Sequence, residues 1–300
     1  MICIHFVPDF RSGIFCSLKH LLQRRIYVAP ALVLEYNKFS GVVIMVEKLF
    51  EELKNIPEVE AIALGGSRAG ESFDEKSDYD VYLYCTGNID DNVRKEILEK
   101  YCSYIELSNH FWELEDNCTL KNGVDIDILY RNIEDFSNDV ASVVEGFNAR
   151  TGYTTCMWHN LLTCKIIYDA KGRLKTLKER FSVPYPKELK KNIINKNMSL
   201  LSGMLPSYDG QILKAVNRGD LVSVNHRTSA FFESYFDVLF ALNEQTHPGE
   251  KRLVGLCKKL SMLPENFEEN INKLFSDLFT NPENVGRDLA DIVTELRKIV

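Results

Sequence analysis

Apolar positions along this 300-residue chain fall into two patterns. Between residues 61 and 130 they come in short runs bounded by glycine or acid, which predicts strands. Ala61-Ile62-Ala63-Leu64 and Val81-Tyr82-Leu83-Tyr84 read as buried strands, and Tyr104-Ile105-Glu106-Leu107 as a third. Gly123-Val124-Asp125-Ile126-Asp127-Ile128-Leu129-Tyr130 alternates apolar with acidic positions behind an Asn122-Gly123 turn signal, and reads as a fourth. An amphipathic helix at Met45–Leu53 enters the first strand. A second helix, Asp90 to Cys102, opens on acids and turns Ile97 and Leu98 inward. The predicted order for 45–150 is therefore α-β-turn-β-α-β-β.

Farther along, the spacing becomes helical. Residues 134–181 read as mostly helix. Ser182-Val183-Pro184-Tyr185-Pro186 is a break, because each proline disfavours helix at the residue before it. Residues 187–300 alternate helical patterns with turns at Pro206-Ser207-Tyr208-Asp209-Gly210, His247-Pro248-Gly249 and Asn281-Pro282, the pattern of a helical bundle. Phe231, Phe232, Tyr235, Phe236, Leu239 and Phe240 fall near helical spacing and are assigned to its core. The fold class is α/β (α+β): a small mixed sheet in 45–150, a connecting region in 151–186, and a C-terminal helical bundle in 187–300.

Charge narrows the partners. A net charge of −7 disfavours non-specific nucleic-acid binding, which needs basic surface to neutralise phosphates. It suits a cationic small molecule or a protein. Eight scattered cysteines form no CxxC pair, which argues against structural zinc and for a reducing compartment, the cytoplasm. No stretch approaches the roughly 20 apolar residues a spanning helix needs, so no membrane role is expected. The first 44 residues carry five basic and two acidic side chains, leaving −10 for the remainder. They lack a signal-peptide pattern. They are read as a non-native or disordered extension, with Met45 as the native start.

The candidate chemistry sits within fifteen residues. Gly65-Gly66-Ser67-Arg68-Ala69-Gly70 follows the first strand directly. Two glycines allow a sharp turn and close approach of backbone to a ligand. Ser67 can cap the short helix that follows, where free N–H groups suit phosphate. Asp78 and Asp80 stand at i and i+2, which puts both carboxylates on one face of the second strand. Such like charges call for a cation between them, and Mg²⁺ is the obvious one. A third carboxylate is expected on a neighbouring strand. Asp125 and Asp127 share a face there, and Asp127 is preferred because it lies deeper in the apolar stretch.

These motifs resemble the nucleotidyltransferase superfamily that includes DNA polymerase beta and the aminoglycoside nucleotidyltransferases. Ala63–Ala69, Met157-Trp158-His159-Asn160-Leu161-Leu162 and His247-Pro248-Gly249-Glu250-Lys251-Arg252 resemble a bacterial group whose helical C-terminal domain is of the DUF4037 type. The resemblance spans about residues 45–300. It implies a small mixed-sheet nucleotidyltransferase domain with triphosphate on Gly65, Gly66 and Ser67, and with Arg68 either on phosphate or paired with a local acid. It also implies two Mg²⁺ ions on Asp78, Asp80 and Asp127, with Asp127 as metal ligand or base. ATP or another NTP is the expected substrate, and a small-molecule hydroxyl, such as that of an antibiotic, the expected acceptor. An oligomer is compatible with this class.

Other residues carry weaker expectations. Lys214, Arg218, His226 and Arg227 are the basic groups expected at the cleft, with Lys214 either on the β- and γ-phosphates or on a solvated face. Glu113 or Glu115, in the aromatic stretch 109–116, are candidates to grip a cationic acceptor. His159 is read as a helix residue with a local hydrogen bond. Two alternative classes stay open: a protein AMP-transferase of the toxin–antitoxin kind, and a nucleotide sensor without turnover.

Overall fold

The computed structural model describes residues 45–70, 77–111 and 113–300. The extension expected at 1–44 lies outside the described residues. The chain divides into two units, Met1–Leu49 and Phe50–Val300. In the first, residues 45–49 are helical. The second holds everything below.

A six-stranded sheet dominates its first half, in the order β3-β4-β5-β2-β1-β6. The strands are β1 (Val59–Leu64), β2 (Tyr79–Cys85), β3 (Cys102–Asn109), β4 (Leu114–Leu120), β5 (Asp125–Asn132) and β6 (Lys165–Asp169). All neighbours run antiparallel except β2 and β5. That parallel pair needs a crossover, which the chain supplies with a helix at Asp91–Leu98, β3 and β4. The helices of this part are α1 (Gly66–Ala69), α2 (Asp91–Leu98), α3 (Ile133–Val144), α4 (Cys156–Thr163) and α5 (Arg173–Arg180). Asp90 caps α2 by accepting from Asn92 N at 2.8 Å. Asn132 caps α3 by accepting from Glu134 N and Asp135 N, so β5 turns straight into helix.

Two elements depart from the sequence pattern. Residues 114–120 form β4, where only a lead-in to the β5 strand was expected. The strand hides because one of its inward positions is Asp116, fully buried among Cys118 and Leu120, which breaks the apolar alternation. Residues 165–169 form edge strand β6 inside a stretch read as helical. Its pairing with β1 supplies what its mixed sequence does not. The helix expected over Asp90–Cys102 ends at Leu98, and Cys102 already belongs to β3.

The second half is helical: α6 (Lys187–Leu201), α7 (Tyr208–Arg218), α8 (Leu221–Leu242), α9 (Leu253–Cys257), α10 (Phe267–Thr280) and α11 (Val285–Arg297). Helix α8 is the axis, and its aromatic stripe of Phe231, Phe232, Tyr235, Phe236 and Phe240 is buried, as the spacing predicts. One face of the sheet, through Tyr82 and Tyr84, packs on Phe136, Trp158 and Leu161, and this core continues to Leu189 and Ile193 of α6 and Ala241 of α8. A polar staple locks the connection. Asp237 of α8 accepts from Thr154 N at 3.0 Å, Thr154 Oγ1 at 2.6 Å and Asn197 Nδ2 at 3.1 Å. Burial lifts the Asp237 carboxyl to about 6.

Candidate active site

The sheet face that buries Tyr82 and Tyr84 deeper in carries its acids near the start of the same strands. Residue parity puts Asp80 on that face of β2. The parallel register sets Asp127 directly beside it on β5. Asp78 closes the group just before β2. Carboxylate oxygens of Asp78, Asp80 and Asp127 lie within 4.8 Å of one another, and all three residues are half-buried. Among the described residues, no ion pair neutralises any of them. Burial raises the Asp80 carboxyl above the usual carboxylate range. The charges of Asp78 and Asp127 push the same way, and only Lys251 opposes them. Asp125 stands outside the group: it is exposed and accepts from Thr119 Oγ1 at 2.8 Å.

The turn after β1 is built against these acids. Gly65 N donates to Asp80 O at 2.8 Å. Gly66 stands at φ +54°, and a Cβ there would overlap the Asp80 carboxylate. A Cβ on Gly65 would collide with the Tyr82 ring. Ser67 Oγ is buried and has no hydrogen-bond partner among the described residues, an unusual state for a hydroxyl unless something binds there. Arg68 points inward. Its Nε donates to the carbonyls of Ser77 at 2.8 Å and Asp78 at 3.1 Å, and its guanidinium lies 3.7 Å from the Tyr79 ring centre. Its position thus fixes the backbone that presents Asp78.

Asn117, opposite Asp127 on β4, donates to Asp127 Oδ1 at 2.8 Å and accepts from Asn109 Nδ2 at 2.7 Å. The sequence reading did not single it out, because its role exists only through the β4–β5 register. Two residues away on the same face, Glu115 is buried at 7 % exposure. Its carboxyl is raised by burial and then by the charges of Asp127 and Glu113. No hydrogen bond or ion pair among the described residues holds it. Glu113, the other acid proposed to grip a cation, is committed to buried Arg131 through bonds of 2.6 and 2.8 Å.

The expected basic groups are placed differently. Lys214 is exposed on α7, and no bond among the described residues joins it to the acids. Arg218 pairs with Asp220 at 3.9 Å, and the His226 charge reaches Glu233. The cation acting on Asp80 is Lys251, from the loop between α8 and α9. Lys251 belongs to the 247–252 motif, which by itself gives it no role; the loop brings it in from 171 positions away. His159 bonds through Nδ1 to Thr246 Oγ1 at 2.8 Å, across the fold rather than locally, and burial lowers its pKa.

A mixed sheet with a Gly-Gly-Ser turn feeding two acids, a third acid on the parallel neighbour and a helical region in the second half is the arrangement expected from the sequence's resemblance to nucleotidyltransferases. Residues 153–253 match the family described as "Domain of unknown function (DUF4037)". Among solved structures, the chain is similar to a nucleotidyltransferase-like protein from Exiguobacterium sibiricum (11 % identity, TM-score 0.39, 85 % of this chain and 73 % of that one). It is also similar to an aminoglycoside 6-adenyltransferase from Bacillus subtilis (10 %, TM-score 0.27, 84 % and 86 %). A third match is the Thermotoga maritima CCA-adding enzyme complexed with tRNA (12 %, TM-score 0.28, 91 % and 82 %). No curated protein matches the chain. No helix among the described residues is long and apolar enough to cross a membrane.

Proposed function

We propose that the protein is a metal-dependent nucleotidyltransferase that moves a nucleoside monophosphate, AMP from ATP, to a hydroxyl of a small-molecule acceptor. One observation carries this reading: three carboxylates converge within 4.8 Å with no ion pair among the described residues to neutralise them. Exposed acids often cluster without a ligand, but here one of them is forced above its normal pKa by burial and by the others. A hard divalent cation answers that strain, because it takes several carboxylate oxygens at once. The donor set is all oxygen, as Mg²⁺ requires. Bound to Asp78, Asp80 and Asp127, Mg²⁺ would supply charge neutralisation at the transferring phosphoryl group and the departing pyrophosphate.

The chain's own groups do the rest. The turn offers the backbone N–H groups of Gly66 and Ser67 and the unpartnered Ser67 hydroxyl to the triphosphate. Lys251 takes the phosphate-facing role first assigned to Lys214. Arg68 keeps the Asp78 backbone in place. The acceptor oxygen bonds to the α-phosphorus while the bond from that phosphorus to the bridging oxygen breaks. Asp127, oriented by Asn117, positions the hydroxyl and takes its proton, and the electron pair leaves on pyrophosphate. A net charge of −7 favours an acceptor that is not a polyanion; an antibiotic is one such acceptor.

The test is ATP labelled at the α-phosphate, incubated with Mg²⁺, the protein and a metabolite extract. Label should move to a small molecule with wild type and stay in ATP with Asp80→Ala. Transfer by Asp80→Ala at the wild-type rate would contradict the assignment. MgATP binding without any transfer would point to a sensor instead.

A further inference from the structure

The loop between α8 and α9 serves two places at once. Lys251 lies close enough for its charge to act on Asp80. The preceding residue, Glu250, lines a cavity of about 550 Å³. Consecutive Cα atoms are about 3.8 Å apart, so the loop that carries Lys251 also lines the cavity through Glu250. The loop turns at Gly249 (φ +105°) and Arg252 (φ +60°), both in the left-handed region.

The cavity's lining is specific. Phe232 and Phe236 of α8 and Phe275 of α10 form an aromatic side, with Phe232 and Phe275 stacked at 5.1 Å between centres. Tyr153 adds a fourth ring, and Glu233 and Glu250 add two carboxylates. Glu233 is fixed at its root. Gly152 packs so closely on it that a Cβ there would come within 2.8 Å of the Glu233 Cβ. Its carboxyl is raised by burial, with only the His226 charge in opposition. No hydrogen bond or ion pair among the described residues satisfies it. Arg252 lines the same cavity, so the charges of the lining sum to a single negative.

Resting on the transfer reading for the word acceptor, we propose that this cavity is the acceptor subsite and takes a small molecule bearing one ammonium group on an aromatic or alicyclic body. The rings offer their faces to the cation and to the apolar body. The carboxylates offer charge-assisted hydrogen bonds to the ammonium. A single surplus charge matches a monocation, whereas a polycation would meet Arg252 as a repulsive neighbour.

Calorimetry on the full chain, without nucleotide or metal, tests this with tryptamine as probe. Tryptamine should bind, with N-acetyltryptamine and indole-3-propionate weaker by about tenfold or more, because each lacks the cation. The double variant Glu233→Gln, Glu250→Gln should weaken tryptamine by a similar factor at an unchanged melting temperature. Equal binding of the three probes, no binding of tryptamine, or full tryptamine affinity in the double variant overturns the assignment. Because the titration needs no ATP, the two readings fail separately. Lost tryptamine binding beside Asp80-dependent transfer removes only the cavity; retained binding with no transfer removes only its role as an acceptor site.

Discussion

Asp116 and Asp127 lie on adjacent strands of one sheet and show two ways of keeping an acid inside a protein. Asp116 is fully buried, and every part of it is answered. Arg94 donates at 2.6 Å, Ser108 N at 2.9 Å and the Tyr130 hydroxyl at 2.8 Å. Glu60 on β1 follows the same rule, with Lys171 at 2.9 Å and Arg173 at 2.6 Å. Asp127 has one neutral donor, Asn117, and two acids for neighbours. An acid whose counter-charge is built in serves the fold. An acid left among like charges costs the fold something and makes sense when a ligand supplies the missing charge.

That contrast predicts opposite outcomes for similar substitutions. Asp80→Ala should reduce nucleotidyl transfer by up to about 1000-fold, the loss expected from removing one charge-stabilising contact at a transition state. Its metal-free melting temperature should stay level or rise, because a repulsion is removed. A large fall in that temperature would place Asp80 with Asp116. Arg94→Met should do the reverse. It leaves Asp116 buried and uncompensated, at a cost of about 3–5 kcal/mol in urea unfolding. A cost under about 1 kcal/mol would show that the pair is not what holds β4 to α2.

Much of the open site was legible in the sequence, and the paired one was not. Asp78 and Asp80 stand at i and i+2 behind a glycine turn, a spacing that predicts a shared face, and they do converge although Asp78 lies just before β2. Gly66 was readable for the same local reason, and its φ of +54° beneath Asp80 gives the cause. Asp116 was hidden because its charge is cancelled by Arg94, 22 positions away, so the acid reads as a break in β4 rather than part of it. Lys251 and Asn117 escaped for a related reason. Each acts through a register or loop closure that no local period encodes, and Lys214 was favoured only because it carries a charge on a helix.

Smaller effects refine the comparison. Asn117→Ala should lower Mn²⁺ affinity by about tenfold, since it frees the ligand carboxylate without removing it. Unfolding free energy should change little, and an affinity equal to wild type would mean that Asp127 needs no orientation. The smallest effect concerns a base with no partner at one nitrogen. His247 is fully buried, its Nε2 has no hydrogen-bond partner among the described residues, and burial lowers its pKa to about 3 from 6.5. Between those two values the unfolded chain binds more protons than the folded one. This stability is therefore present above about pH 6.5 and is lost as pH falls toward 3. Asp237, raised to about 6, works in the opposite direction over part of that range. His247→Gln should flatten the acid limb of a plot of melting temperature against pH, and an unchanged limb would assign it to other groups.

Manganese titration, followed by electron paramagnetic resonance with ATP present, reaches the central claim most directly. Wild type should bind the ion in an all-oxygen site, and Asp80→Asn, folded and equally stable, should lose it. Equal Mn²⁺ binding by wild type and Asp80→Asn would contradict the account, because the three converging carboxylates would then have no ion to hold.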